Sequence, residues 1–570
     1  MATDGDPGGS AVPTEHQGPD PDTDARRAGD TDANSTDALN LFDAPAEPAP
    51  DRREVTTREL PSRTDPIVAP GSMVIGGPIG LHAVVGRGRT WTPVRVLMLI
   101  ALVFLALGWY AKAGCLQQAP DAETGVMGLD WDNHRQYTAL CYADTIPLYS
   151  AERLDVGAFP YKSSWYEDDG TGGQQQRFME YPVLTGMFMY AAAQTAHGWE
   201  WAHENWGVPA ALDVVLFFNL VALGLALCWL VTIWATALTA QRRVWAAALA
   251  AASPLVIVHI FTNFDAIAIA ALSVAMLAWS RRNPWLTGIF LGIGMSAKLY
   301  PALLLIPLLV LCLRAGKVRD FLVTAALTAA TWLLINLPIM VTHFRGWTEF
   351  FRYNSDRGTD PDTLFNVISA ITGYQWGNQP GQPPTLLNAI SMGLFILVCL
   401  VVVFIGFHAP MRPRLAQLMF LTVAGFLLVN KVWSPQYSLW LVPLAVLALP
   451  HTRILLSWML IDALVWVPRM MWYLYKETDD GLPEQWFLSA VVIRDVAVLA
   501  LCAMVIWQIY HPTSDLVRRG RGWRSIVVDD PGGGVLDRAE DRMPWPRRST
   551  KTALSDSDPP TEAFAVGSRA

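Results

Sequence analysis

The sequence predicts an all-α polytopic membrane protein: a bundle of about twelve transmembrane helices with a large first extracytoplasmic loop. Three observations predict it. Several apolar runs reach the roughly 20 residues that a helix needs to cross a bilayer. Of the 570 residues, 52% are hydrophobic in spite of two polar tails. Arg or Lys also recurs at every second turn between the runs, as the positive-inside rule requires of a multi-pass chain. The net charge of −8 comes largely from the acidic tails, so it points to no nucleic-acid partner.

The elements follow in order. Residues 1–88 are rich in Pro, Gly, Asp, Thr and Ala without periodicity, and are expected to form a disordered cytoplasmic tail. They lack the apolar core and small-residue cleavage site of a signal peptide, so the first span is expected to be retained. The transmembrane domain is expected over 89–511. Its first span, about 93–112, has Arg87, Arg89 and Arg95 on its N-terminal side, which places the N-terminus in the cytoplasm and residues 113–210 outside. Span 211–239 returns to Arg242-Arg243, 244–260 goes out, and 266–280 comes back to Arg281-Arg282.

Residues 284–319 are basic at both ends and read as a hairpin. Each arm of about 14 residues would reach only about 21 Å, short of a roughly 30 Å hydrocarbon core. Its tip, Lys298-Leu299-Tyr300-Pro301, would then sit at membrane depth, where a charge and broken backbone are tolerated only in a protein-lined cavity. Further spans are expected at about 320–341, 387–408, 414–430, 437–450, 453–471 and 487–510. The stretch "YPVLTGMFMYAAAQTA", 181–196, is read as an interfacial or re-entrant helix, because as a full span it would put Arg242-Arg243 outside. Residues 512–570 return to a polar composition and are expected to form a disordered cytoplasmic tail. The protein is therefore expected in the plasma membrane, with both termini cytoplasmic.

Four of the six cysteines, Cys228, Cys312, Cys399 and Cys502, fall in spans. Cys115 and Cys141 share the first outer loop, facing an oxidising compartment; a disulfide is one reading and two free thiols the other. No Cys/His spacing suggests zinc, and no metal or other cofactor is expected.

Polar residues gather at the outer face from distant parts of the chain. The first loop offers Asp144, Tyr149, Asp155, Tyr161, Glu180 and Tyr181; the next outer turn offers Asn263 and Asp265; the hairpin offers Lys298 and Tyr300. A later loop offers Arg352 and Arg357, and "NKVWSPQY" offers Lys431, Trp433, Gln436 and Tyr437. Acids for proton transfer, cations for a phosphate and aromatics for a sugar face form a coherent chemical set. Each has a plainer reading too. Most outer-loop carboxylates are only solvated, Asp265 suits a helix N-terminus, and Lys431 suits an interface. Lys298 resists dismissal, since a charge at the tip of a short hairpin needs a partner or a ligand.

The stretch "DTIPLYSAERLDVGAFPY", followed by "FMEYPVL", resembles the first outer loop of actinobacterial polyprenol-phosphate-mannose-dependent mannosyltransferases, members of the GT-C superfamily of multispanning glycosyltransferases. The matching positions are Asp144, Tyr149, the turn from Gly157 to Tyr161, and Glu180-Tyr181-Pro182. Val183 stands where that family has a second Pro, and the intervening "KSSWYEDDGTGGQQQRF" is a polar insertion expected to be mobile. "GIGMSAKLYPALLLIPLLV" resembles the family's Lys-x-Tyr-Pro hairpin, and "NKVWSPQYSLWLVPL" its late Ser-Pro-Gln-Tyr loop, so that the likeness runs in order over roughly 93–510.

The resemblance implies a GT-C-like fold and transfer of a hexose, most simply mannose, from a polyprenyl-phosphate donor to an envelope glycolipid or glycan on the outer face. It implies an inverting reaction with Asp144 as general base, Asp155 and Asp265 being the alternatives. Lys298, Arg352 or Arg357 would neutralise the departing phosphate, and Trp433 and Tyr437 would stack on a sugar. The remaining outer-face residues would line the substrate site. A transporter or flippase for an envelope lipid or glycan precursor is the competing reading, and a non-catalytic scaffold a lesser one. A transporter would more often carry paired internal repeats and charges spread through several spans, whereas here the charges favour one face.

Overall fold

The computed structural model describes residues 91–121, 125–168, 172–377, 383–519 and 528–542. The N-terminal tail expected over 1–88 lies outside the described residues, as do 520–527 and 543–570. Within them the chain is helical apart from two short antiparallel hairpins. Six helices are long and apolar enough to cross a membrane: Pro93–Leu116, Asp213–Ala251, Val318–Thr342, Thr385–His408, Thr452–Thr478 and Glu484–Tyr510. Five shorter apolar helices accompany them: Asp265–Ser280, Pro284–Ala297, Tyr300–Ala315, Leu415–Val429 and Pro435–Ala448. The all-α polytopic class expected from the sequence is the architecture observed.

Local chemistry sets the ends of these helices. Thr92 caps the first, its hydroxyl accepting from the Arg95 N–H at 3.3 Å, with Pro93 in the first turn. Asn283 and Pro284 start the hairpin's first arm in the same way. That arm, Pro284–Ala297, has 14 residues and ends where Lys298 turns extended (φ −161°, ψ 144°). Tyr300–Leu304 then forms a tight turn before the second arm, Leu305–Ala315. Gly316, at φ +66°, terminates it in the left-handed region where a side chain is strained. The first arm packs closely on Val318–Thr342: a Cβ on Gly288 would lie 2.5 Å from the Thr324 carbonyl oxygen, and one on Gly292 2.7 Å from that of Thr328. Small residues one turn apart let membrane helices approach this closely.

The loop over 113–210 is built rather than loose. Gln118–Pro120 pairs with Met127–Leu129, and Trp165–Asp168 with Gln174–Arg177. The second hairpin lies in the insertion expected to be mobile; it is fastened by Arg177, which reaches Glu349 at 3.0 Å and lies 4.7 Å over the Tyr353 ring. The stretch read as an interfacial or re-entrant helix extends over Val183–Trp206.

The C-terminal segment also departs from expectation. Part of the stretch expected to be disordered is docked on the opposite face of the bundle. Asp515 pairs with Arg414, Asp529 with Arg412 and Asp541 with Arg314, each at 2.7 Å, and Asp530 Oδ2 accepts from the Leu415 N–H at 3.0 Å. Arg314 and Arg414 are buried, so these carboxylates neutralise charges that the interior would otherwise leave uncompensated.

Candidate active site

Two adjoining cavities, of about 280 and 320 Å³, open at the face where the outer-loop residues converge, and Asp144 and Arg357 line both. Tyr142, Ser434 and Gln436 complete the shared wall.

Asp144 is held from several sides. Its Oδ2 accepts from Asn263 Nδ2 at 3.0 Å, and the same amide nitrogen donates to the Tyr181 hydroxyl at 3.0 Å. The next residue ties the loop to the adjoining turn: the Thr145 N–H donates to the Thr262 carbonyl at 3.3 Å, and its hydroxyl to that of Phe261 at 3.0 Å. On the N-terminal side, the buried Lys112 Nζ donates to the Tyr142 carbonyl at 2.8 Å and lies 4.9 Å over the Trp466 ring. A disulfide joins Cys115 to Cys141, with Cα atoms 5.6 Å apart. The end of the first span thus grips the Asp144 loop twice, which fixes a carboxylate that a free loop would leave mobile.

The first cavity extends from Asp144 to Glu180, Tyr181, Lys298 and Tyr437. Lys298 Nζ sits 2.7 Å from Asp265 Oδ1 and 4.4 Å over the Tyr437 ring. Trp440 Nε1 donates to the same Asp265 oxygen at 2.6 Å, and its ring stacks on Tyr300 at 4.0 Å and Tyr437 at 4.3 Å. The hairpin tip therefore has an internal counter-ion in an aromatic box, which answers the demand of a charge at that depth. Burial pushes the Glu180 carboxyl up, against the pull of Arg357 and Arg177. Glu152 behind it is raised well above the usual carboxylate range by burial and by the charge of Glu180.

The second cavity extends from Asp144 to Tyr137, Asp360, Trp466, Arg469 and Tyr473. Arg357 pairs with Asp360 at 2.8 Å, and Arg469 with the buried Asp362 at 2.7 Å.

Of the residues expected at the site, Asp144, Glu180, Tyr181, Asn263, Lys298, Arg357, Gln436 and Tyr437 come together around the cavities. Asp265 lies behind Lys298 and acts on the cavity through it, and Tyr300 stacks on Trp440, which bonds Asp265. The rest do not line it. The Tyr149 hydroxyl meets His197 Nε2 at 3.0 Å, and its ring packs on Phe217. Asp155 is exposed and bonds the neighbouring Val156 N–H at 3.0 Å. Tyr161 is buried, donates to the Tyr181 carbonyl at 3.0 Å and leaves no room for a side chain at Gly346. Arg352 is spent on Glu349 and the Gln176 carbonyl. Trp433 is buried under Arg494, 3.8 Å from its ring, and so is not placed to meet a sugar.

Lys431 acts behind the site: its ammonium donates to the Ser355 carbonyl at 3.2 Å and the Arg357 carbonyl at 2.5 Å. Burial, and then the neighbouring Arg357, push it down to about 8. It is charged below that pH and loses its proton as pH rises through it, loosening its hold on the Arg357 backbone. We expect activity to fall on the alkaline side near pH 8, and Lys431→Arg to move that fall upward in a pH–rate profile. An identical alkaline limb in both proteins would contradict this role.

Tyr137, Tyr142, Asp360, Trp466, Arg469 and Tyr473 line the cavities but are passed over by reading composition and motif. Arg469 carried one signal, a lone cation near the C-terminal end of an otherwise apolar span.

The family model of Glycosyltransferase family 87 matches residues 181–430 of this chain. The matched stretch includes Tyr181, Asn263, Asp265, Lys298 and Arg357, and begins after Asp144. The chain is also similar to GPI mannosyltransferase 1 of Eremothecium gossypii, 24% identical over 230 residues that cover 39% of this chain and 57% of that protein. The chain thus spans little more than half the length of the relative it matches. Fold and matches together support a multispanning membrane glycosyltransferase.

Proposed function

We propose that the protein transfers a hexose, mannose first among candidates, from a polyprenyl-phosphate donor to a glycolipid or glycan acceptor at the extracytoplasmic face of the plasma membrane. The observation that carries this reading is a carboxylate, Asp144, set in the wall between two cavities and flanked by the cations Lys298 and Arg357. The likeness to a mannosyltransferase favours mannose.

The chemistry needs one base. As the acceptor hydroxyl attacks C1 of the sugar, Asp144 takes its proton. The new C1–O bond forms while the bond from C1 to the phosphate oxygen breaks, and that electron pair leaves with the polyprenyl phosphate, which gains one negative charge. Lys298 and Arg357, which line the first cavity, would stabilise that leaving group with preorganised positive charge. Glu180, Tyr181, Asn263, Gln436 and Tyr437 supply polar edges and a ring face for the sugar and for Asp144. Direct displacement inverts the anomeric centre. A β-linked lipid donor is expected to give an α-mannoside, read by NMR of the product; a β-mannoside product would overturn the single-displacement mechanism.

A further inference from the structure

The second cavity has a water-facing aromatic wall that the reaction scheme above leaves without a role. Tyr137 and Tyr473 are both half-buried there, with ring centroids 5.8 Å apart and planes at 28°. The Tyr137 hydroxyl donates to Glu477 Oε1 at 2.9 Å. Glu477 also meets His134 Nδ1 at 2.8 Å, and both side chains are well exposed, at 44% and 39%, so this rim is aqueous. Deeper in, Arg469 lies 4.9 Å over the Tyr473 ring and is paired with Asp362. The first cavity is lined differently: Pro147, Leu148, Ala151 and Phe350 contribute apolar surface beside Lys298 at the tip of the short hairpin.

We propose that the Tyr137–Tyr473 cavity is the acceptor subsite and binds the terminal sugar of an uncharged glycoside presented from the water side. This rests on the sugar-transfer reading above. A pyranose packs its C–H face on an aromatic ring, whose electron-rich face attracts the C–H edges. Its hydroxyls meet Asp360 and Arg469, polar groups of the kind that orient a ligand in a small pocket. A volume of about 320 Å³ holds one sugar residue with space at its edges. Asp144, shared by both cavities, then meets the acceptor hydroxyl from this side while the lipid phosphate lies on the Lys298 side. The apolar side chains of the first cavity suit the start of a polyprenyl chain, and the charged, exposed edge beside Tyr137 does not.

The test uses the full-length protein in lipid nanodiscs, polyprenyl-phosphate-mannose as donor, and octyl or methyl α-mannoside as acceptor. Tyr137→Ala and Tyr473→Ala are each expected to raise the acceptor KM roughly tenfold and to leave the donor KM within about twofold. The loss should be the same for both acceptors, because the contact is with the sugar. Tyr137→Phe, which keeps the ring and loses only the Glu477 bond, is expected to raise the acceptor KM less than Tyr137→Ala does. A rise in donor KM instead, a loss confined to octyl mannoside, or no change in either KM would overturn the assignment. Calorimetric binding of octyl mannoside to the wild type and both Ala variants separates this inference from the transfer reading. Binding weakened by the substitutions supports the subsite even if no transfer is seen, and binding unaffected by them overturns it.

Discussion

Asp144→Asn is expected to lower kcat for sugar transfer by about 10²–10⁴-fold while leaving donor binding intact, the loss typical of removing a positioned general base. The substitution is nearly isosteric, and its amide oxygen still accepts from Asn263, so the loop keeps its ties through Thr145, Lys112 and the Cys115–Cys141 disulfide. What it loses is the capacity to take a proton. Asp155→Asn is expected to behave as wild type, because Asp155 lies exposed, bonded to its own neighbour and away from both cavities. Single-turnover transfer with a separate measurement of donor Kd checks both. Activity within a few-fold of wild type in Asp144→Asn, under conditions where chemistry limits the rate, would move the base to another residue.

The second large effect is expected at the hairpin tip. Asp265 is buried and engages both Lys298 and Trp440 through one oxygen. Asp265→Ala would leave the Lys298 ammonium in the interior without its counter-ion, which costs about 3–5 kcal/mol when one partner of a buried pair is removed. A large drop in thermal midpoint in detergent is the expected readout. Replacing both partners with apolar groups of similar volume is often close to neutral, so Asp265→Leu with Lys298→Met is expected to recover most of the stability. Transfer should stay impaired, because the cation proposed to meet the donor phosphate is gone. A double variant with wild-type donor KM would show that Lys298 serves only the fold.

Much of this architecture was legible in the sequence. Apolar runs of membrane-spanning length and the basic turns between them mark most of the spans, although the expected span 244–260 is broken into a tight turn and two short helices, Ala248–Ala251 and Pro254–His259; arm length alone marks the Lys298 tip as buried. Part of the site was legible as well, because Asp144, Asn263, Lys298 and Gln436 sit in turns between spans, where the chain order of the loops brings them to one face.

The failures have physical causes. Arg352 looks like a phosphate ligand by type, but Glu349 stands one helical turn away and takes it. Lys431 and Trp433 lie within a motif that does line the cavity, and nothing in residue type distinguishes the wall, Ser434 and Gln436, from the braces behind it. Tyr473 and Glu477 were missed because the helix Thr452–Thr478 runs on past the end of its apolar signal. Tyr137 reaches the site only because strand pairing and the disulfide fold the first loop back on itself. The docked C-terminal segment was hidden for a similar reason. Its acids find partners in Arg314, Arg412 and Arg414, more than a hundred residues earlier, whose basic character was already explained by topology.

The most direct test of the account is transfer by the purified full-length protein in nanodiscs, offered radiolabelled polyprenyl-phosphate-mannose or a nucleotide-activated mannose together with an alkyl mannoside. A labelled dimannoside is expected from the lipid donor and none from the nucleotide sugar. Product from the nucleotide sugar alone, or no product from either while the protein moves the labelled lipid across the bilayer, would contradict it.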